Sequence, residues 1–192
     1  MENLEGIGEK KIGQLRIYVS LDAWGEQAEY IRFGMNFMEM ERNLHQLMRR
    51  IPWARVGFIH TMSALSIVGV NPFLKGFAKL RNEYPERNGR PRINFDTPIL
   101  REPAHLSARI LPAEYIAHVD RALEFMQENE FMDFQISRMR RLKEWLQEPL
   151  PADIQTSLRK SFRLFFEEHD RRRGTNFLAT FPEMEKFWQE CF

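Results

Sequence analysis

The stretch from Leu15 to Arg32, Leu-Arg-Ile-Tyr-Val-Ser-Leu-Asp-Ala-Trp-Gly-Glu-Gln-Ala-Glu-Tyr-Ile-Arg, restricts the fold more than any other part of the chain. Residues 15–21 are β-branched, aromatic and apolar at nearly every place, the pattern of a short strand buried on both faces. Asp22 and a turn around Gly25 follow, and from Ala28 the apolar spacing becomes that of a helix. In sheets covered by helices, polar groups at the carboxyl ends of strands face the ligand crevice. Ser20, Asp22 and Glu26 are therefore the first candidates for a site. The same Ser and Asp also suit a turn or cap, bonded to nearby backbone N–H groups.

The unit repeats. Ahead of it, residues 1–14 read as a frayed lead-in with the end of a helix near Lys11. Residues 28–51 place Tyr30, Ile31, Phe37, Leu44, Leu47 and Met48 at steps of three and four, which predicts a helix with a bend or late start at Gly34 and an end at Pro52. Residues 54–60 predict a second strand running into His60 and Thr61. Asn71 and Pro72 supply an N-cap and a first helical position for a second helix. Residues 92–96 predict a third strand ending in Asp96 and Thr97, before Pro98. Strands alternating with helices of this length imply parallel pairing. Three strand ends then bring Ser20 and Asp22, His60 and Thr61, and Asp96 and Thr97 to one edge. For His60 a ring satisfied by a neighbouring carbonyl competes with a ligand-binding role.

Beyond Leu100 the pattern is helical: one helix opens at Leu111-Pro112, a second covers residues 136–146, a third follows Pro151, and a short one with aromatic anchors ends the chain. The expected architecture is α/β: about three parallel strands with helices, forming half of a partial (β/α) barrel over residues 1–110, then a helical extension over 111–192. With 28 basic and 27 acidic side chains the net charge is +1, so no overall field favours nucleic acid or a membrane surface. The run Arg171-Arg172-Arg173 reads as the last turn of a helix complementing its dipole. No run approaches the roughly 18 to 20 apolar residues of a membrane span, and the first residues lack a signal-peptide pattern, so a cytoplasmic location is expected.

The chain has no P-loop, no Gly-x-Gly-x-x-Gly after a strand, no Gly-x-Ser-x-Gly elbow and no His-Glu-x-x-His pair. Its five histidines lack metal-ligand spacing, and Cys191, the single cysteine, is expected at the terminus beyond the folded core. Spacing alone thus gives a crevice of hydroxyls and carboxylates and no reaction. A hydrolase or transferase built on Asp22, His60 and Asp96 would need a nucleophile or metal set that the sequence does not offer.

A resemblance adds to this. Val19-Ser20-Leu21-Asp22-Ala23-Trp24-Gly25-Glu26-Gln27-Ala28-Glu29-Tyr30-Ile31-Arg32-Phe33-Gly34 resembles the fourth strand, loop and helix of radical S-adenosylmethionine proteins of the branch with a C-terminal twitch-type extension. Asp96-Thr97-Pro98-Ile99-Leu100-Arg101-Glu102-Pro103, Ile110-Leu111-Pro112 and the stretch from Arg171 to Glu183 look like the same branch, in the same order. The resemblance implies the latter half of a partial (β/α)6 barrel plus the C-terminal helices. The Cys-x-x-x-Cys-x-x-Cys that binds the [4Fe–4S] cluster belongs to the first half and has no counterpart here. It further implies cofactor contacts for Ser20, Asp22, Glu26, Thr61 and Asp96, with His60, Thr97 and Arg101 on the substrate side. S-adenosylmethionine and a [4Fe–4S] cluster are the implied cofactors, and this chain alone cannot hold the cluster. Either a second chain carries the cluster half, or the chain has lost the chemistry and binds partners or itself through an open sheet edge.

Overall fold

Three strands, β1 (Leu15–Ser20), β2 (Ala54–Ile59) and β3 (Ile93–Asp96), pair in parallel in the order β1-β2-β3. They belong to a computed structural model that describes residue 11 and residues 13–192. The lead-in expected over residues 1–14 lies mostly outside the described residues. Between the strands run α1 (Glu26–Ile31), α2 (Phe37–Arg50) and α3 (Ala64–Glu83). After β3 and short 3-10 turns come α4 (Ile116–Glu128), α5 (Asp133–Gln147), α6 (Ala152–Arg173), α7 (Phe177–Thr180) and α8 (Glu185–Gln189). The mixed α/β class expected from the sequence is present.

Side chains alternate across a strand, so the register assigns the faces. Ile17 and Val19 stand beside Val56 and Phe58, which stand beside Ile93 and Phe95. This apolar face packs on helices: Phe58 meets Phe73 at 6.3 Å between ring centroids, and Phe95 meets Phe77 at 4.6 Å. The opposite face carries Arg16, Tyr18 and Ser20 on β1, Arg55, Gly57 and Ile59 on β2, and Asn94 and Asp96 on β3. Its β1 members are exposed, Tyr18 at 62%. The burial expected for β1 on both faces is thus wrong on one of them. Its alternate residues are polar, and it is one of the two edge strands among the described residues.

The helix expected over residues 28–51 is two. Gly34, with φ near +90°, turns the chain between α1 and α2, and the Asn36 side chain caps α2 by accepting from Glu39 N–H at 2.8 Å. Arg92 ties the far end of α2 to the start of β2, its Nη2 donating to Met48 O at 2.7 Å and its Nε to Ala54 O at 3.3 Å.

The start expected for α3 at Asn71-Pro72 is also corrected. The helix opens at Ala64 behind a reciprocal Ser63–Ser66 capping box, and Pro72 sits exposed inside it. Residues 64–70 are all buried, and this burial outweighs the one hydrogen bond that Pro72 removes. Asn71 instead donates from Nδ2 to His118 O at 3.0 Å, joining α3 to α4.

Close packing on α3 gives a test. A Cβ on Gly76 would lie 2.5 Å from the Trp24 indole, whose ring stands edge-on to Phe37 at 5.0 Å. Alanine would gain about 1 kcal/mol of helix propensity, but the indole has to shift against a packed neighbour. Gly76→Ala is therefore expected to destabilise by about 1–3 kcal/mol in urea unfolding. A gain in stability would show that Trp24 is free to move.

The helices after β3 join the same core as the sheet. Phe162 of α6 is fully buried, and Gly174 ends that helix in the left-handed conformation. Cys191, expected outside the core, is 2% exposed, with its Sγ donating to Phe187 O at 3.2 Å. Burial pushes its thiol up to about 11. The aromatic anchors at Phe187 and Trp188 carry it inward. Among the described residues no helix is long and apolar enough to cross a membrane.

Candidate functional site

At the carboxyl end of the sheet a cavity of about 370 Å³ opens between the ends of β1 and β2, α1, the first turn of α3, and α6. Strand alternation continues past both strand ends, which places Asp22 and Thr61 on the side of Ser20 and Ile59 and turns Leu21 and His60 into the core. Asp22 is 6% exposed and links both elements: its Oδ1 accepts from Thr61 N–H at 2.7 Å and its Oδ2 pairs with Arg32 Nη2 at 2.7 Å. Arg32 lines the cavity, and its Nε is buried without a hydrogen-bond partner. The N-terminus of α3 adds Ser63, Ala64 and Leu65 to the wall.

The opposite wall is aromatic, with Tyr30, Phe165, Phe166 and His169. Tyr30 O–H donates to Asp170 Oδ1 at 2.8 Å, and Asp170 also accepts from Thr175 Oγ1 and from Phe177 N–H, each at 2.7 Å. One carboxylate thus joins α1, α6 and α7. Burial, and then the bond to Asp170, raise the Tyr30 phenol far above its ordinary value, so it stays a donor. His169 contacts Arg173 through Nε2 at 2.7 Å, and burial followed by the Arg173 charge lowers its pKa. Arg173 in turn lies over the Phe33 ring at 4.6 Å.

His60 is fully buried beneath this site. Its Nδ1 faces Leu21 O at 2.9 Å, its ring stacks on Phe73 at 4.0 Å, and its Nε2 has no partner. The carbonyl-satisfied arrangement weighed for it is the observed one. Burial lowers its pKa from 6.5 to about 4. Between those values the unfolded chain binds a proton that the folded chain refuses, so stability is complete above pH 6.5 and falls as pH drops toward 4. The expected loss from this ring is about 3 kcal/mol, read as a drop in urea midpoint from pH 7 to pH 4.5 that His60→Gln reduces, the remainder coming from His105, His118 and His169, whose pKa burial also lowers. An unchanged slope in that variant would assign the acid loss to other groups.

The remaining candidates lie apart from the cavity. Ser20 and Glu26 are exposed. Asp96 pairs with Arg138 at 2.7 Å and accepts from Thr97 N–H at 2.8 Å, while Thr97 is 7% exposed. Arg101 is exposed in the loop after β3. The structure therefore joins Asp22 to Thr61, keeps Ser20 and Asp96 on their sheet face, and leaves Glu26, Thr97 and Arg101 outside the cavity lining. Arg32, Tyr30, His169 and Arg173 were not singled out by spacing. Arg32 lies ten residues after Asp22 in the same strand-loop-helix unit, a proximity that only the loop conformation reveals.

Comparison with protein-family models, with curated proteins and with solved structures found no match. Among the described residues no group of three or more His, Cys, Asp or Glu side chains is placed to hold a metal ion. The donor set does not fit an iron–sulfur cluster, because the one thiol is buried, raised in pKa and bonded to a carbonyl. Of the residues expected at a nucleoside, Thr61 is half-buried at the cavity, Asp22 beside it has one oxygen on Thr61 N–H and the other on Arg32, and Ser20 is exposed outside the cavity lining.

Proposed function

We propose that this chain is the latter half of a radical S-adenosylmethionine barrel, supplying the nucleoside and substrate side of the crevice to a second chain that carries the [4Fe–4S] half. The observation that carries this reading is the sheet itself. Parallel sheets occur almost only with both faces covered, yet here the face opposite the helices is exposed along β1, at Arg16, Tyr18 and Ser20, while its β2 and β3 residues are buried or half-buried. A barrel lumen is such a face before the barrel is complete. A second feature agrees: an apolar groove of about 440 Å³, lined by Ile17, Val19, Met40, Leu44 and Leu47, runs between β1 and α2. A preceding helix of the barrel would fill it. The expected cytoplasmic location belongs to the same reading.

One observation favours the alternative, a chain that has lost the chemistry and binds through its open edge. Asp22 and Asp96 already face Arg32 and Arg138, so neither strand-end carboxylate is without a cation. Anaerobic reconstitution with iron and sulfide separates the two. The chain alone is expected to bind no iron. Co-purified with the product of an upstream reading frame, it is expected to acquire iron and to cleave S-adenosylmethionine to 5′-deoxyadenosine. Iron without cleavage would favour the binding module. A folded mixture without iron would exclude the split enzyme.

A further inference from the structure

The opposite, amino-terminal end of the sheet carries a second concavity, of about 270 Å³, whose lining includes Gln14, Trp53, Arg55, Arg90 and Arg92 and, among the described residues, no carboxylate. On a chain of net charge +1 this is a local excess of cations. Arg16 and Arg55 are direct partners in the parallel ladder, and like charges directly opposite destabilise a sheet. Burial, and then the charges of Arg16 and Arg90, lower the Arg55 pKa.

The geometry between these two arginines is specific. With the Gln14 amide in the orientation that satisfies its neighbours, Oε1 accepts from Arg16 Nε at 2.6 Å and Nη2 at 3.0 Å, and from Arg55 Nη1 at 3.2 Å. A neutral oxygen sits where two guanidinium forks converge, the position that a phosphoryl oxygen takes with a full charge. Arg55 is held for this by its Nε, which donates to Pro91 O at 3.0 Å. Arg92 faces carbonyls of Met48, Ile51 and Ala54, and so forms a fixed part of the wall.

We propose that this end of the sheet binds a phosphorylated small molecule, its phosphoryl group displacing the Gln14 amide from between Arg16 and Arg55 while Arg90 meets the outer oxygens. The site uses none of the strand-end residues and is independent of the barrel assignment. Two cations directly opposite in the ladder repel, and an anion between them would offset that repulsion.

Inorganic pyrophosphate is the probe, titrated into the full chain at about 50 mM salt, where phosphate contacts are strongest. Calorimetry is expected to show saturable binding, and Trp53 fluorescence to change with it. Arg16→Gln and Arg55→Gln are each expected to weaken binding about tenfold, or ~1.4 kcal/mol, with Arg55→Lys between them and the wild type because a lysine keeps the charge but loses the fork. The free Arg16→Gln chain is expected to have an equal or higher Tm, which a folding role for the pair would not give. The proposal is overturned if no saturable heat appears, or if the double variant Arg16→Gln, Arg55→Gln binds pyrophosphate as the wild type does. Equal competition by glutamate would overturn it too, and would point to an acidic protein segment at this end.

Discussion

Replacing Phe162 by alanine is expected to lower the unfolding free energy by about 3–5 kcal/mol, the range for a large aromatic removed from a core that cannot collapse around the gap. The side chain is fully buried. Its ring stands 4.7 Å from Phe166, 5.3 Å from Phe187 and 5.7 Å from Phe177, so one truncation unpacks α6 from α7 and α8 together. Against a total stability of about 5–15 kcal/mol for an ordinary domain, such a variant is close to the unfolding threshold. Urea unfolding followed by far-ultraviolet circular dichroism measures it. A loss below about 1 kcal/mol would mean that the terminal helices contribute little to the core they join.

Asp22→Ala is the second large effect. It removes the acceptor of Thr61 N–H and the partner of Arg32 in one step. An unsatisfied buried donor costs about 1–3 kcal/mol, while the ion pair adds less because the Arg32 side chain is 36% exposed and water screens it. The expected total is about 2–3 kcal/mol. Asp22→Asn keeps an acceptor for Thr61 and loses only the charge, and is expected to cost about 1 kcal/mol. The difference between the two variants isolates the hydrogen bond that holds the ends of β1 and β2 together. Equal costs would show that Arg32, not Thr61, is the partner that matters.

The strands were legible because each is a short β-branched or aromatic run closed by a polar residue, and their alternation with helices implied the parallel order that β1, β2 and β3 adopt. The same logic brought Asp22 and Thr61 to one strand end, where they share a hydrogen bond. What stayed hidden depends on tertiary context. Asn71-Pro72 is a sound local start signal, but residues 64–70 are buried and extend α3 toward β2, leaving Pro72 on an exposed face. Tyr18 counts as apolar in a strand pattern, yet its ring lies over Gly57, where a Cβ would come within 3.0 Å of it, and stays 62% exposed. Cys191 looked terminal, and the packing of Phe187 carries it into the core. Arg32 and Arg173 reach the cavity from a short helix and from the last turn of a long one, and no sequence period links them.

The proposed half-barrel reading depends on whether the outer edge of β1 is unpaired in the free chain. Leu21 N–H bonds to Ile59 O, so alternation directs the backbone groups of Arg16, Tyr18 and Ser20 away from β2. Residue-resolved hydrogen exchange of the monomeric chain tests this directly. Exchange of the Arg16, Tyr18 and Ser20 amides is expected to be fast beside protected Ile17 and Val19, and, on the proposed reading, to slow by at least about a hundredfold when a cluster-bearing partner chain is added. Strong protection of all five amides in the isolated monomer would show that the chain covers its own edge, and the need for a second half would fall with it.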